Sequence, residues 1–214
     1  MDNIWPIIGV DESGKGDFFG PLVIAGALVE KSQLPALAEL EVRDSKTISD
    51  NKILTIAERI KKLCLHNLVV INPEKYNQLY GKIRNLNKLL GWGHAKVIEN
   101  ILIEGKAEAA LSDKFGHERF INDNLQEEGR KIKMIQRVRG EAHPAVAAAS
   151  ILARAEFLRR MAMMSSHYQL EFPRGASAKV DQAGRGLVKS SGRDILAKVA
   201  KVHFKNYQKI VCRS

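Results

Sequence analysis

Two hydrophobic periods divide this chain. Ile4–Val10 and Leu22–Val29 are near-continuous apolar runs, the pattern of buried strands, on either side of a glycine-rich turn. From Ser49, an N-capping residue, Ile53, Ile56, Ala57, Ile60 and Leu63 recur at three- and four-residue intervals and predict a helix. His66–Ile71 predicts a short buried strand, and Pro73 then opens a further helix. Leu86–Ile103 reads as a long amphipathic helix, Ala107–Ser112 as a strand ending at Asp113, and Ile132–Val138 as an alternating strand. Pro144–Met164 predicts a strong helix whose Ala-rich first turns let another element approach closely. Residues 173–193, rich in Gly, Ser and Lys/Arg, predict an irregular, mobile basic segment, followed by a basic amphipathic helix over Asp194–Ile210.

An opening strand pair followed by alternating helices and strands implies an α/β fold, a mixed sheet flanked by helices. No repeat, low-complexity tract or long linker interrupts the chain, so residues 1–214 are expected to form a single domain. No apolar run approaches the roughly 20 residues of a membrane span. The N-terminus lacks the basic and apolar regions of a secretory leader. Cys64 and Cys212 are far apart in sequence and form no ligand-spaced pair, and the six histidines make no HExxH pattern. These features favour a cytoplasmic setting.

Charge changes the picture. The net charge is +10, and it is unevenly placed. Residues 1–107 carry 14 Lys/Arg against 13 Asp/Glu, whereas residues 108–214 carry 20 against 11. A basic C-terminal half points to a polyanionic partner, of which nucleic acid is the commonest.

Against that basic background, four acids stand at predicted strand ends. Asp11 and Glu12 follow the first strand, Asp113 follows the strand at 107–112, and Glu141 follows the strand at 132–138. Strand ends converge along one edge of a sheet. Adjacent strand residues point to opposite faces, so Asp11 and Glu12 share a site only if the strand ends there, which Gly14 and Gly16 would allow. Clustered carboxylates repel and raise one another's pKa unless a cation neutralises them. All-oxygen ligation suits Mg²⁺ or Mn²⁺, and two such ions can serve phosphodiester hydrolysis. A lone Asp after a strand is more often a cap or a turn former; four acids in a basic protein point towards a metal-dependent nuclease.

DESGKGDFFGPLV, from Asp11, resembles the opening motif of ribonuclease HIII, a branch of the type 2 ribonucleases H. Further similarity runs along the chain: RDSKTIS at Arg43–Ser49, LNKLLGWGHAKVI at Leu86–Ile98, LSDKF at Leu111–Phe115, and GEAHPAVAAASILAR at Gly140–Arg154. PRGASAKVD and AKVHFKNY follow. The resemblance implies a ribonuclease H-like fold with a C-terminal helical basic segment. It implies Mg²⁺ or Mn²⁺ as cofactor and RNA–DNA hybrid as partner; apart from the resemblance, a monomer with no membrane association is expected. It implies endonucleolytic cleavage of the RNA strand by a two-metal-ion mechanism, leaving 5′-phosphate and 3′-hydroxyl ends. Carried over, the catalytic and metal-holding acids are Asp11, Glu12, Asp113 and Glu141. Glu at the fourth position matches ribonuclease HIII; the ribonuclease HII branch usually has Asp there and DEAGRG at the first motif. Glu156 and Asp17 do not match the family's catalytic positions.

By the same resemblance, Gly14-Lys15-Gly16 is where the family tells RNA from DNA, through backbone groups that glycine lets approach a ribose 2′-hydroxyl. Lys46 corresponds to a contact near the scissile phosphate. Ser150 either contacts phosphate or simply packs as a small residue, and His143 and His203 are expected to be structural or exposed. Two departures bear on activity. The family usually carries an N-terminal hybrid-binding domain; with ten residues before Asp11, that domain is expected to be missing from this sequence, whether by nature or by trimming. Ribonuclease HII reads an RNA–DNA junction with a tyrosine in a Gly-Tyr context after its AASI helix; here that region reads FPRGASAKVDQAGRG, without tyrosine. The rivals are ribonuclease HII-like removal of single embedded ribonucleotides and a non-catalytic hybrid-binding protein.

Overall fold

The computed structural model describes residues 4–40, 42 and 48–212. Its centre is a five-stranded mixed sheet in the order β3-β2-β1-β4-β5, from β1 (Ile7–Ser13), β2 (Leu22–Val29), β3 (Leu65–Ile71), β4 (Ala109–Asp113) and β5 (Lys133–Arg137). β1 runs antiparallel to β2 and parallel to β4, which is parallel to β5. The helices are α1 (Leu34–Glu39), α2 (Asp50–Leu63), α3 (Pro73–Ile83), α4 (Leu86–Glu104), α5 (Arg119–Asn122), α6 (Pro144–Tyr168), α7 (Ala178–Ser191), α8 (Ile195–Val199) and α9 (Lys205–Val211). The expected mixed α/β fold with flanking helices is present. Among the described residues no helix is long and apolar enough to cross a membrane.

The chain divides into two compact units: residues 1–13, 23–69 and 85–156, and residues 14–22, 70–84 and 157–214. In the first, glycines set how closely helices meet the sheet. A Cβ on Gly9 would lie 2.0 Å from the Ala145 carbonyl carbon, so α6 rests its first turn directly on β1. Gly26, paired with Val10, would place a Cβ 2.4 Å from Val97 of α4. Gly9 and Val10 point to opposite faces, so α6 and α4 cover opposite sides of the sheet. β2 between them is buried at every position. Each buried Val, Leu or Ile side chain there contributes about 1.5–3 kcal/mol. The Ala-rich start of α6 behaves as expected. α4 does not: with Leu89, Leu90, Gly91, Gly93, His94, Ala95, Val97 and Ile98 all buried, it is covered on more than one face rather than amphipathic. β3 is an edge strand in which only Ile71 is buried, not the buried strand expected.

Three further readings of the sequence change. The strand expected to stop at Val10 continues to Ser13, because Asp11, Glu12 and Ser13 keep pairing with Ala25, Ile24 and Val23. Most of the stretch read as irregular is α7, which buries Val180, Gly184, Leu187 and Val188 at helical spacing. A Cβ on Gly184 would meet Ile210 at 2.3 Å, so that glycine serves packing, not a turn. The single helix expected over Asp194–Ile210 is broken into α8 and α9. Ala200 forms a β-bridge to Phe19 instead, and Asn77 of α3 occupies the freed main-chain groups: its amide donates to Ala197 and Ala200 carbonyls, and its oxygen accepts from the Val202 N–H.

That break also buries a charge. Lys201, which the charge pattern puts on a solvated basic face, is 0% exposed, whereas Lys198 and Lys205 are exposed. Burial pushes its pKa down from 10.5 to about 7, with Asp17 pulling the other way. Between those values the unfolded chain holds the proton and the folded chain does not, so this group's contribution to stability rises with pH from about 7 to about 10. The stability difference between wild type and Lys201→Met should therefore grow across that window in urea unfolding. A pH-independent difference would show that the amine is not titrating in the fold.

Candidate active site

The β1–β4 register assembles the acids. Val10 lies opposite Ser112 in this parallel pair, so Asp11 and Asp113, the next residue of each strand, stand at neighbouring positions. After β5 the chain turns through Arg139, whose φ of 58° lies in the left-handed region. That turn delivers the Gly140 N–H to Asp113 Oδ1 at 3.1 Å. A Cβ on Gly140 would lie 2.9 Å from the Asp113 nitrogen, so only glycine brings Glu141, the next residue, this close. Asp11, Asp113 and Glu141 thus gather at one end of the sheet.

Asp11 and Glu12 are turned to opposite faces, as continued strand geometry demands, which corrects the expectation that the strand ends there and lets the two acids share one site from the same face. On the α6 side, Asp11 takes a hydrogen bond from the Ser150 hydroxyl, and its Oδ1 accepts the Glu12 N–H at 2.8 Å. Burial first, and the Glu12 carboxylate second, push the Asp11 pKa up from 3.8 to about 6. On the α4 side, Glu12 Oε2 lies 3.0 Å from Nε2 of His94. Both side chains are sequestered, at 6% and 1% exposure. An oxygen acceptor opposite Nε2 requires that nitrogen to carry the proton. Nδ1 is buried and has no hydrogen-bond partner, which fits a lone pair better than an orphaned N–H. His94 is therefore a donor to Glu12, packed against the Phe115 ring at 4.9 Å.

His94 is the site residue that sequence reasoning missed. A single His inside the apolar run LLGWGHAKV was its only signal. Ser150, read as a phosphate contact or a packing residue, touches Asp11. His143 stacks on Trp5 at 5.3 Å, a structural role. His203 is exposed and stacks on Tyr80 at 4.0 Å. The Asp17 carboxylate accepts the Gly175 N–H. Lys46 lies outside the described residues.

Three His, Cys, Asp or Glu side chains already converged on one point are not found among the described residues. Glu12 is drawn to His94 and Asp113 to Gly140, as expected of carboxylates that would otherwise repel. The donor set is all oxygen and Asp11 is held in an unfavourable charged environment, so a hard divalent cation fits the chemistry of these residues.

The Gly14-Lys15-Gly16 turn contains two different glycines. Gly14 has φ +89°, and a Cβ there would lie 2.3 Å from the Pro21 oxygen. Both the backbone and the packing demand glycine. At Gly16 a Cβ would meet nothing within 4 Å, so nothing in the fold explains the glycine.

Residues 8–207 match the family model described as Ribonuclease HII. Ribonuclease HIII of Protochlamydia amoebophila is 42% identical over 209 residues, covering 98% of this chain and 69% of its own length. That of Chlamydia pneumoniae is 44% identical over 208 residues, covering 96% and 70%. Among solved structures, Bst-RNase HIII in complex with Mn²⁺ is similar with a TM-score of 0.90 at 32% identity, over 97% of this chain and 69% of that one. Aquifex aeolicus RNase H3 is similar with a TM-score of 0.78 at 29% identity, over 94% and 72%. This chain belongs to the ribonuclease HII family and, within it, to the ribonuclease HIII branch.

Proposed function

We propose that this chain cleaves the RNA strand of RNA–DNA hybrids endonucleolytically, with Asp11, Glu12, Asp113 and Glu141 holding divalent cations, Mg²⁺ or Mn²⁺. The observation that carries the reading is the β1–β4 register, which sets Asp11 beside Asp113 while Gly140 brings Glu141 to the same end. Membership of the ribonuclease HIII branch supports the substrate, and the Mn²⁺ complex of Bst-RNase HIII supports the cofactor. Bound divalent cations supply charge neutralisation and Lewis acidity for in-line displacement at phosphorus, which leaves 5′-phosphate and 3′-hydroxyl ends. The protein supplies the carboxylates and their aim: Ser150 orients Asp11, the Gly140 N–H orients Asp113, and His94 orients Glu12. Gly14, Lys15 and Gly16 contact the ribose, and Lys46 the phosphate backbone. The reading takes the chain as one catalytic domain working as a cytoplasmic monomer.

The direct test is a labelled RNA–DNA hybrid beside an all-DNA duplex, each with and without Mg²⁺ or Mn²⁺. RNA-strand cleavage should appear only in the hybrid and only with metal. Cleavage of the DNA duplex, or none of the hybrid with either metal, would falsify the reading.

Two substitutions probe the details. Gly16→Val should slow hybrid cleavage roughly tenfold with little change in melting temperature, because a β-branched side chain occupies space that the fold leaves open but a ribose needs. Gly14→Val cannot make this point, since it collides with Pro21 in the fold itself. Unchanged cleavage by Gly16→Val would make the turn a plain connection. His94→Leu leaves Glu12 sequestered without its donor and should cost about 10-fold in rate, a loss of one charge-assisted hydrogen bond. His94→Gln, which can return an N–H near Nε2, should recover part of it; equal rates for Leu and Gln would argue against the hydrogen bond.

A further inference from the structure

The second unit spends a fully buried lysine on one short segment. Lys201 Nζ donates to the carbonyl of Asp17 at 2.8 Å and to that of Gly20 at 2.7 Å. The Tyr76 ring lies beside it, 5.6 Å from centroid to Nζ. The main chain repeats the connection. The Lys201 N–H donates to the Phe18 carbonyl at 2.8 Å, the Gly20 N–H to Val199 at 2.9 Å, and the Phe18 N–H to Gly175 at 2.9 Å. Asp17 Oδ1 accepts from the Gly175 N–H at 2.6 Å. Phe18 and Phe19, both 0% exposed, anchor the same segment by their rings.

A buried cation is costly, and a leucine of similar size would fill the space without that cost. What leucine cannot do is satisfy two converging carbonyls. A neutral amine keeps two N–H donors and an ammonium three, so the two bonds persist whichever form is present. The segment so held is the far support of the Gly14-Lys15-Gly16 turn. The Asp17 N–H closes the turn on the Gly14 carbonyl at 3.3 Å. Gly14 supports the near end, where its packing against Pro21 and Phe157 leaves no room for a Cβ. Lys15 and Gly16 between these supports are exposed.

We propose that Lys201 is a positioning residue for substrate recognition, holding Asp17–Gly20 so that the Gly14-Lys15-Gly16 turn meets the hybrid in a preformed shape. The inference rests on the reading that this turn contacts the ribose. A turn ordered before binding does not lose its conformational freedom on binding, so the effect belongs to affinity and not to the chemical step. Through this lysine the C-terminal segment then acts on substrate by positioning the turn.

The test compares wild type, Lys201→Met and Asp17→Asn for melting temperature, for kcat and KM on hybrid, and for Mn²⁺ affinity by electron paramagnetic resonance without substrate. Lys201→Met removes both side-chain bonds while keeping length and packing. It should raise KM about tenfold, with kcat within about threefold of wild type and Mn²⁺ affinity unchanged. A folded Lys201→Met with unchanged KM, or with its loss in kcat alone, overturns the proposal. If Lys201→Met does not fold, Asp17→Asn decides. It weakens the bond to Gly175 and removes the Asp17 charge beside Lys201 while leaving the Asp17 and Gly20 carbonyls in place, and it should raise KM about threefold with kcat kept; unchanged KM again overturns the proposal. Wild type that cleaves no hybrid would instead sink the functional reading on which the proposal stands.

Discussion

Asp11→Asn should lower hybrid cleavage by at least about 100-fold and, in chelator at pH 7, raise the melting temperature. On the proposed reading, the rate loss follows from removing a charge from the acids that would hold the cations, whose stabilisation of a phosphoryl transition state is worth several kcal/mol. The shape survives, since an amide oxygen still accepts from the Glu12 N–H and the Ser150 hydroxyl. The stability gain follows from the raised pKa. Asp11 titrates near 6 in the fold against 3.8 unfolded. Between those values the folded chain binds the extra proton, so the group's contribution to stability is present below about pH 4 and is lost as pH rises through 6. The melting-temperature advantage of Asp11→Asn should therefore grow from pH 4 to pH 7 in calorimetry with EDTA. Wild-type cleavage rates in the variant would remove Asp11 from the site. A lower melting temperature at pH 7 would mean that the carboxylate stabilises the fold.

Hybrids with several consecutive ribonucleotides should be cleaved ten- to 100-fold faster than one ribonucleotide embedded in duplex DNA. Reading a single junction calls for a flat aromatic against the sugar, packing that Arg or Lys cannot reproduce. The stretch where ribonuclease HII carries such a tyrosine runs here from Phe172 into α7 without a tyrosine, and its one aromatic, Phe172, is buried edge-on to Phe19 at 4.9 Å. Tyr168, just upstream, packs edge-on to His167 at 4.7 Å and to Phe172 at 6.0 Å. Paired assays with one enzyme stock in Mg²⁺ and in Mn²⁺ decide the matter. Comparable rates on both substrates would place the activity with ribonuclease HII despite Glu141 and the DESGKG motif.

Much of this was legible before any tertiary structure. Strand and helix periods come from contacts between residues a few positions apart, so β2, α2, β4 and α6 could be read from the pattern. Asp113 and Glu141, too, could be placed at strand ends, whereas Asp11 and Glu12 lie inside β1 rather than after it. The α7 periodicity was equally present in Val180, Gly184, Leu187 and Val188, but Gly, Ser and charged residues masked it; Gly184 packs under Ile210, a neighbour that no local pattern reveals.

What only the tertiary structure decided is where polar groups find partners and which glycines the fold itself requires. Glu12 and His94 are 82 residues apart, and their bond exists because β1 keeps pairing through Ser13 and turns Glu12 towards α4. Gly14 and Gly16 are the same letter, yet one is demanded by a positive φ and the Pro21 oxygen while the other faces open space. Lys201 reads as a solvent-facing charge in sequence and is buried because carbonyls 184 and 181 residues earlier in the chain need its donors. Periodicity is a local property that the chain carries wherever it goes. Satisfying a buried donor or acceptor depends on what the finished fold brings within 3 Å of it.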